Sequence, residues 1–366
     1  MSAYTKGPRA AGFVVCLAAI IVGCEGVTIN LPFDEAADVE RRAYELRYKR
    51  PKGNSDRYQA TYKVRVRSSP KRLGYLVQRS AGLEIDEDVT ADLILYYTGK
   101  TDDGKFDRVV FRRRDASRKR LEVAPNGRVK HESKTLNLQP MFTPNFAAEP
   151  SVPQSEIVFV PMSDLGMIAK SKLYPYHYAW DDSLCYMFPV FPKAAVSVGD
   201  KWTASIPVIV GTEYKNNVTK LRLTFTMTDL RQLTLPDGKK GPVCAVIEYQ
   251  YYALKDSVTD DSLPALADNQ AGLLRRRDVV EGSGMAYFDI AAGKTRWRKE
   301  EYRIEIERHT RQPVRKKPGE KKAKSGSHRP PQMETVIYKS RRMVNFGARL
   351  LVPGERASDR PSRVDQ

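Results

Sequence analysis

The stretch Leu221-Arg222-Leu223-Thr224-Phe225-Thr226-Met227-Thr228 decides the fold class, because apolar and polar side chains alternate along its whole length. Successive side chains of a β-strand point to opposite faces, so this pattern predicts a strand with one buried and one exposed face. Asp237-Gly238 follows, and residues 243–254 then repeat the alternation. An Asp-Gly pair between two alternating runs predicts a β-hairpin.

The same alternation extends outward from this hairpin. Residues 59–67 and 334–346 predict two further strands. Residues 284–290 and 295–308 predict a second hairpin, which turns at Ala291-Ala292-Gly293. Strands that are joined in sequence by turns indicate an antiparallel sheet with one buried face.

Three local features depart from simple alternation. Within residues 295–308 the apolar phase slips from odd to even numbers, which predicts a β-bulge or bend between Arg298 and Tyr302. Residues 261–278 have helical composition and predict one helical segment. Gly282-Ser283-Gly284 is interpreted as the turn that leads into a strand.

The sequence therefore predicts a mainly β fold: a large curved antiparallel sheet, sandwich or half-barrel, with one helical segment and long loops. Residues 41–352 form this β-rich domain, either as one body or as sub-domains 41–135 and 186–352 joined by a proline- and aromatic-rich region. Residues 311–330 carry eight basic residues and one acid, which predicts a disordered loop. Residues 353–366 predict a flexible tail.

The N-terminus has the composition of a secretory signal peptide over residues 1–23. Two basic residues precede an apolar run that ends in Ile21-Val22-Gly23-Cys24. That run is shorter than the roughly 20 residues that span a membrane. The last four residues resemble the lipobox of bacterial lipoproteins, which implies a diacylated Cys24 followed by a tether over residues 24–40. A plain cleaved signal peptide and an uncleaved membrane segment remain the alternatives. Glu25, in place of aspartate, implies the outer membrane or cell surface in a host with two membranes.

The chain has 366 residues and a formal net charge of +18, so its surface is expected to attract polyanions. Partners predicted from this charge are anionic envelope polymers or lipids, beside the membrane that a lipidated N-terminus would enter. No nucleic-acid-binding fold is recognisable, so we predict no specific nucleic-acid partner. The alternative is a solvated surface that adds solubility alone. The predicted basic patch comprises Arg112, Arg113, Arg114, Arg118, Lys119, Arg120, Arg315, Lys316, Lys317, Lys321, Lys322 and Lys324. The first six flank an expected turn at residues 115–117.

Few residues suggest chemistry. Cys185 and Cys244 either form a disulfide in an oxidising compartment or are two buried thiols. Tyr176, Tyr178 and Trp180 lie beside carboxylates and either stack on a sugar ring or pack a loop against the sheet. No metal-ligand spacing or nucleophile motif occurs, so we predict no catalytic residues, no metal and no cofactor.

Three further motifs resemble an uncharacterised class of bacterial secreted lipoproteins with a β-rich domain, over about a third of the chain. The resemblance implies a lipid-anchored, mostly β protein with no assigned activity. We expect a non-enzymatic envelope lipoprotein that binds or scaffolds anionic components through a basic surface. The alternatives are a carrier or sensor of an apolar ligand and, less favoured, an envelope glycan hydrolase. The motifs are Phe191-Pro192 with Val198-Gly199-Asp200-Lys201-Trp202, Asp237-Gly238 with Cys244-Ala245-Val246-Ile247, and Gly282-Ser283-Gly284 with Phe288-Asp289-Ile290 and Gly293.

Overall fold

The computed structural model describes residues 33–35, 42–73, 83–124, 127–134, 139–140, 160–168, 178–179, 189–209, 218–234, 239–256, 271–313 and 332–351. All regular secondary structure in this part of the chain is β-strand, and the 14 strands share one sheet. The strands are β1 (Phe33–Glu35), β2 (Ser55–Leu73), β3 (Leu83–Lys100), β4 (Asp107–Val123), β5 (Val129–Lys134), β6 (Gln139–Pro140), β7 (Val160–Met162), β8 (Tyr178–Ala179), β9 (Lys201–Ile209), β10 (Val218–Thr234), β11 (Lys240–Asp256), β12 (Gly272–Asp289), β13 (Lys294–Pro313) and β14 (Met333–Leu350).

The strands follow the order β5-β4-β3-β2-β14-β13-β12-β11-β10-β9-β8, while β1 pairs with β10 and both β6 and β7 pair with β4. Each neighbouring pair is antiparallel except β8 with β9. Among the described strands no pairing joins β5 to β8, so the sheet is open. The predicted mainly β, antiparallel fold is confirmed. One open sheet agrees with the curved-sheet and half-barrel predictions rather than with a sandwich.

A single sheet spans both halves of the β-rich domain. β2 to β5 come from residues 41–135, and β9 to β14 come from residues 186–352. The two sets meet where β2 pairs with β14, with Ala60 opposite Ala348 and Val64 opposite Val344. The β-rich region is therefore continuous in hydrogen bonding across the proposed sub-domain boundary.

One face of the sheet carries the hydrophobic core. The predicted alternation of β10 is confirmed, because its odd-numbered side chains from Leu221 to Met227 are buried. The predicted first hairpin is confirmed as the β10–β11 pair, in which Phe225 lies opposite Tyr249. Equivalent positions of the neighbouring strands extend the core face, including Tyr62, Val64, Val89, Ala91, Ile247, Val280, Phe288, Tyr302, Ile304, Val344 and Phe346.

The core is covered at one end, which we call the β1 end, by aromatic packing. Tyr48 and Phe191 contact Phe288 of β12, with ring centroids 5.2 Å and 4.5 Å apart respectively. β1 lies at the same end and pairs with residues Arg231 to Leu233 of β10. The segment expected to be a tether over residues 24–40 therefore contains a strand. We call the opposite end, where Pro313 pairs with Met333, the far end.

The second hairpin is confirmed, but its bulge lies earlier than predicted. Tyr287 pairs with Trp297 and Phe288 pairs with Thr295, which leaves Arg296 as the extra residue of β13. The prediction between Arg298 and Tyr302 was wrong because it assumed that charged side chains face solvent. From Arg298 onward, even-numbered side chains face the core.

Three further predictions were wrong where the structure tests them. Residues 272–278 of the expected helical segment belong to β12, and residues 261–270 lie outside the described part. Gly282-Ser283-Gly284 lies within β12 and is not a turn. The expected turn at residues 115–117 is strand as well, because β4 continues through it with Ala116 as a bulge opposite Thr90 and Ala91. Pairing to long neighbouring strands overrides local composition at these positions.

Candidate functional site

A buried charged cluster lies on the core face of β13. Arg298 and Glu300 are both almost fully buried and form a salt bridge with each other. The Arg298 Nε donates a hydrogen bond of 2.8 Å to the Tyr249 hydroxyl, which donates in turn to Glu300 at 3.3 Å. The Tyr251 hydroxyl also donates to Glu300. We call these four residues the buried cluster. A buried charge is costly unless it is paired and hydrogen-bonded, and both charges here meet that condition.

Two glycines of β12 make room for the buried cluster. Gly284 lies between Tyr249 and Glu300 in the sheet, and Gly282 lies opposite Tyr251. A Cβ at Gly282 would be 2.5 Å from the Tyr251 ring, and one at Gly284 would collide with the Tyr249 ring. The absence of side chains lets both tyrosine rings cross β12 and reach Glu300. The tyrosine rings thus fill the space above the two glycines, and the buried cluster is part of the packing of the sheet.

A charged groove of about 550 Å³ lies toward the far end, on strands β12, β13, β14, β2 and β3. Most of its lining side chains sit at odd-numbered positions of β2, β12, β13 and β14, which by strand periodicity lie on the face opposite the core. The groove contains four basic side chains and three glutamates. The lining residues are Arg67, Ser68, Glu84, Arg277, Val279, Glu305, Ile306, Glu307, Lys339, Ser340 and Arg341.

Two of the groove glutamates, Glu305 and Glu307, each contact two basic side chains, one on β14 and one on β13 itself, whereas Glu84 forms a salt bridge with Arg67 of β2. Glu305 contacts Arg341 at 2.8 Å and Arg303 at 3.7 Å. Glu307 contacts Lys339 at 3.0 Å and the His309 ring at 2.6 Å. Hydrogen bonds from His309 and then Lys339 lower the pKa of Glu307 to about 2. The Glu307 carboxylate is therefore ionised at neutral pH, with the Lys339 ammonium beside it.

The excess positive charge of the groove remains at its solvent side. Arg277 lies 4.0 Å from Asp256, which Arg275 also contacts at 3.6 Å, so one carboxylate is again shared by two guanidinium groups. The side chains of Lys339 and Arg341 are 50% and 58% exposed, whereas that of Glu307 is 19% exposed. Lys339 and Arg341 are therefore more exposed than the carboxylates of Glu307 and Glu305 that they contact, while Glu84 is 46% exposed beside Arg67.

Most residues singled out in the sequence lie outside the described part. Lys119 and Arg120 are described in β4, where Arg120 contacts Glu122 at 2.9 Å and Glu87 at 3.8 Å. Tyr178 and four arginines are placed only as strand positions, in β8 and β4. The four arginines are Arg112, Arg113, Arg114 and Arg118. The residues outside are Cys24, Tyr176, Trp180, Cys185, Arg315, Lys316, Lys317, Lys321, Lys322 and Lys324. The groove was not predicted from the sequence. The sequence signal that could have indicated it is the charged residue at every second position from 301 to 307.

Cys244 is a fully buried residue of β11. Burial, and secondarily the charge of Asp289, raises its pKa to about 12. Its Sγ lies 3.9 Å from the Pro242 carbonyl oxygen. Cys185 lies outside the described residues, so pairing of the two cysteines stays a prediction.

Two other kinds of site are absent from the described residues. No group of three or more His, Cys, Asp or Glu side chains is arranged to hold a metal ion there. No helix of that part is long and apolar enough to cross a membrane.

The fold and the groove together define an open antiparallel β-sheet protein with a charged, concave surface. No protein-family model and no curated protein matches the chain. Among solved structures, the outer membrane protein OprG from Pseudomonas aeruginosa aligns with a TM-score of 0.19 and 9% identity, covering 82% of this chain and 98% of that one. OccK7 (OpdD) from Pseudomonas aeruginosa aligns with a TM-score of 0.21 and 9% identity, covering 82% and 100% respectively. TM-scores this low carry no argument about fold or function.

Proposed function

We propose that the chain is a non-enzymatic lipoprotein, tethered to a bacterial envelope membrane through Cys24, that binds anionic envelope components through a basic surface. The observation that carries the proposal is the charge arrangement of the groove. Glu305 and Glu307 each contact two basic side chains, and the side chains of Lys339 and Arg341 that pair with them are 50% and 58% exposed. A net charge of +18 adds a long-range attraction for anions.

The proposed location follows from the N-terminal sequence. Ile21-Val22-Gly23-Cys24 supports lipidation, and Glu25 supports the outer membrane or the cell surface. Several acyl chains would hold such a protein stably, because each buried methylene contributes about 0.8 kcal/mol. Mass spectrometry of the native N-terminus tests this part. A mature chain that begins at an unmodified residue would contradict lipid attachment.

The two alternative functions have less support in the described residues. A carrier of an apolar ligand needs an apolar cavity, whereas the groove is bordered mainly by charged side chains. A second cavity, beside Asp56 and Tyr97, holds only about 10 Å³. A glycan hydrolase would rest on the region around Tyr176 and Trp180, which lies outside the described residues. Both stay predictions from the sequence.

Salt-dependent binding of a simple polyanion tests the proposal. We expect the mature chain to bind fluorescently labelled inorganic polyphosphate, with affinity falling at least about tenfold from low to high salt because counterions are released on binding. Phosphatidylglycerol vesicles serve as a second anionic probe, and phosphatidylcholine vesicles as the neutral control. If neither anionic probe binds above the neutral control at low salt, the proposed function is wrong.

A further inference from the structure

Exposed apolar side chains border the charged groove on the same face of the sheet. Leu254 of β11 lies opposite Val279, which lines the groove, and Tyr252 lies opposite Glu281. Tyr252 and Leu254 are 46% and 41% exposed, although both are large hydrophobic residues. Val279 is buried beside them. Tyr252 and Leu254 therefore add exposed apolar surface at the edge of the charged groove.

The distances between the groove cations match a ligand that carries several anionic groups along its length. Lys339 and Arg341 alternate on β14 and are about 7 Å apart along the strand, while Arg277 lies two strands away, at about 10 Å. Tyr252 lies three strands from Arg341, at about 15 Å. The surface from these cations to the Tyr252 ring is therefore longer than a single phosphate group.

From these two observations we infer that the groove, extended by Tyr252 and Leu254, binds a phosphorylated glycan. The apolar faces of sugar rings stack on an exposed tyrosine, and guanidinium groups pair with phosphate oxygens through two parallel hydrogen bonds. A phosphorylated glycan offers a sugar ring to Tyr252 and a phosphate to Lys339 or Arg341, whereas a phospholipid headgroup without a sugar offers the phosphate alone. The chemistry thus favours a polymer with both sugar rings and phosphates over a lipid surface.

This inference rests on the proposed function and narrows its ligand class. The experiment compares four probes on the mature chain: phosphomannan, unphosphorylated mannan, inorganic polyphosphate and phosphatidylglycerol vesicles. We expect phosphomannan to bind most tightly per phosphate, mannan to bind at least tenfold more weakly, and polyphosphate to fall between them. Tighter binding to vesicles than to phosphomannan would overturn the glycan inference while leaving the proposed function intact. Absence of binding to every anionic probe would overturn both.

Matched charge reversals locate the binding surface. The variant Arg277→Glu/Arg341→Glu should weaken phosphomannan binding at least tenfold. The control variant Lys239→Glu/Lys240→Glu makes the same change in net charge near the β1 end, at exposed positions, and should weaken binding no more than threefold. Equal losses in the two variants would show that charge alone, and not the groove, holds the ligand. Such a result would overturn the inference.

Two further variants keep the test independent of folding. Arg277→Gln/Arg341→Gln removes the same cations without placing a new carboxylate beside Glu305, and circular dichroism melting checks that it folds. Tyr252→Ala should weaken phosphomannan binding about fivefold and leave polyphosphate binding unchanged, since polyphosphate has no sugar ring to stack. A loss of both ligands to the same extent would contradict the sugar-stacking role of Tyr252.

Discussion

Strand β13 carries two sets of charged residues that the sheet treats in opposite ways. Toward the β1 end, Arg298 and Glu300 face the core and are buried. Toward the far end, Glu305 and Glu307 face the opposite side and contact basic side chains of β14. Both sets obey the same two-residue period, so the phase of the strand alone decides which charges are buried.

The comparison shows how much more support a buried charge requires than an exposed one. Arg298 and Glu300 are paired with each other and hydrogen-bonded by two tyrosine hydroxyls. Glycines at two positions of β12 leave the space that those tyrosine rings occupy. Glu305 needs only partners that solvent could replace. Exposed ion pairs contribute about 0–1 kcal/mol, whereas removing one partner of a buried pair costs about 3–5 kcal/mol.

The largest expected effect comes from removing the buried carboxylate. Glu300→Gln leaves the Arg298 guanidinium buried without its counter-charge, so we expect the free energy of unfolding to fall by about 3–5 kcal/mol. Glu305→Gln, on the other face of the same strand, is the control and should cost less than about 1 kcal/mol. Urea denaturation at neutral pH measures both.

A double variant separates unpaired charge from lost packing. Arg298→Met/Glu300→Leu removes both charges and should be less destabilising than Glu300→Gln alone, because no buried charge is left unpaired. If Glu300→Gln and Glu305→Gln had equal effects, the distinction between the two faces of β13 would be wrong.

A smaller effect is expected where the glycines admit the tyrosines. Gly284→Ala would place a methyl group against the Tyr249 ring and 2.7 Å from the Lys299 carbonyl oxygen. We expect a loss of about 1–3 kcal/mol in thermal or urea unfolding, since overpacked sites must shift the backbone or a rotamer. Ser283→Ala, exposed on the other face of β12, should change stability by less than about 0.5 kcal/mol. If Gly284→Ala left the free energy of unfolding unchanged, the Tyr249 ring would have room to move away from the added methyl group.

The fold class could be predicted from the sequence because most core strands alternate cleanly. The period of β10, from Leu221 to Met227, is read correctly without any tertiary information. The phase of β13 could not be read that way, because Arg298 and Glu300 resemble solvent-facing residues in sequence. Their burial depends on Tyr249 and Tyr251, which are about 50 residues away in sequence and reach Glu300 only across the paired strand β12.

The candidate site was harder to predict than the fold. The basic patch was identified from consecutive basic residues such as Arg112-Arg113-Arg114, whereas the groove is formed by residues that are scattered over five strands. Cross-strand register brings Arg67 beside Arg341 and Glu305 beside Arg341, and no local pattern specifies that register. Charged residues at every second position of β13 indicate an exposed strand face, but they do not identify the strands that border it.

The smallest effect that we predict is pH-dependent and belongs to the exposed face. The folded pKa of Glu307, about 2, lies below its ordinary value of 4.5, so its contribution to stability is present above about pH 4.5 and is lost as the pH falls toward 2. Glu307→Gln should therefore destabilise the chain by about 1 kcal/mol at pH 7 and by almost nothing near pH 2. Urea unfolding of both proteins across this range measures the difference, and Glu301→Gln controls for removing an exposed charge from the same face. If the loss of unfolding free energy in Glu307→Gln stayed constant down to the lowest pH, His309 and Lys339 would not be holding this carboxylate ionised. The exposed face of β13 would then lack the stabilising ion pair on which its comparison with the buried face depends.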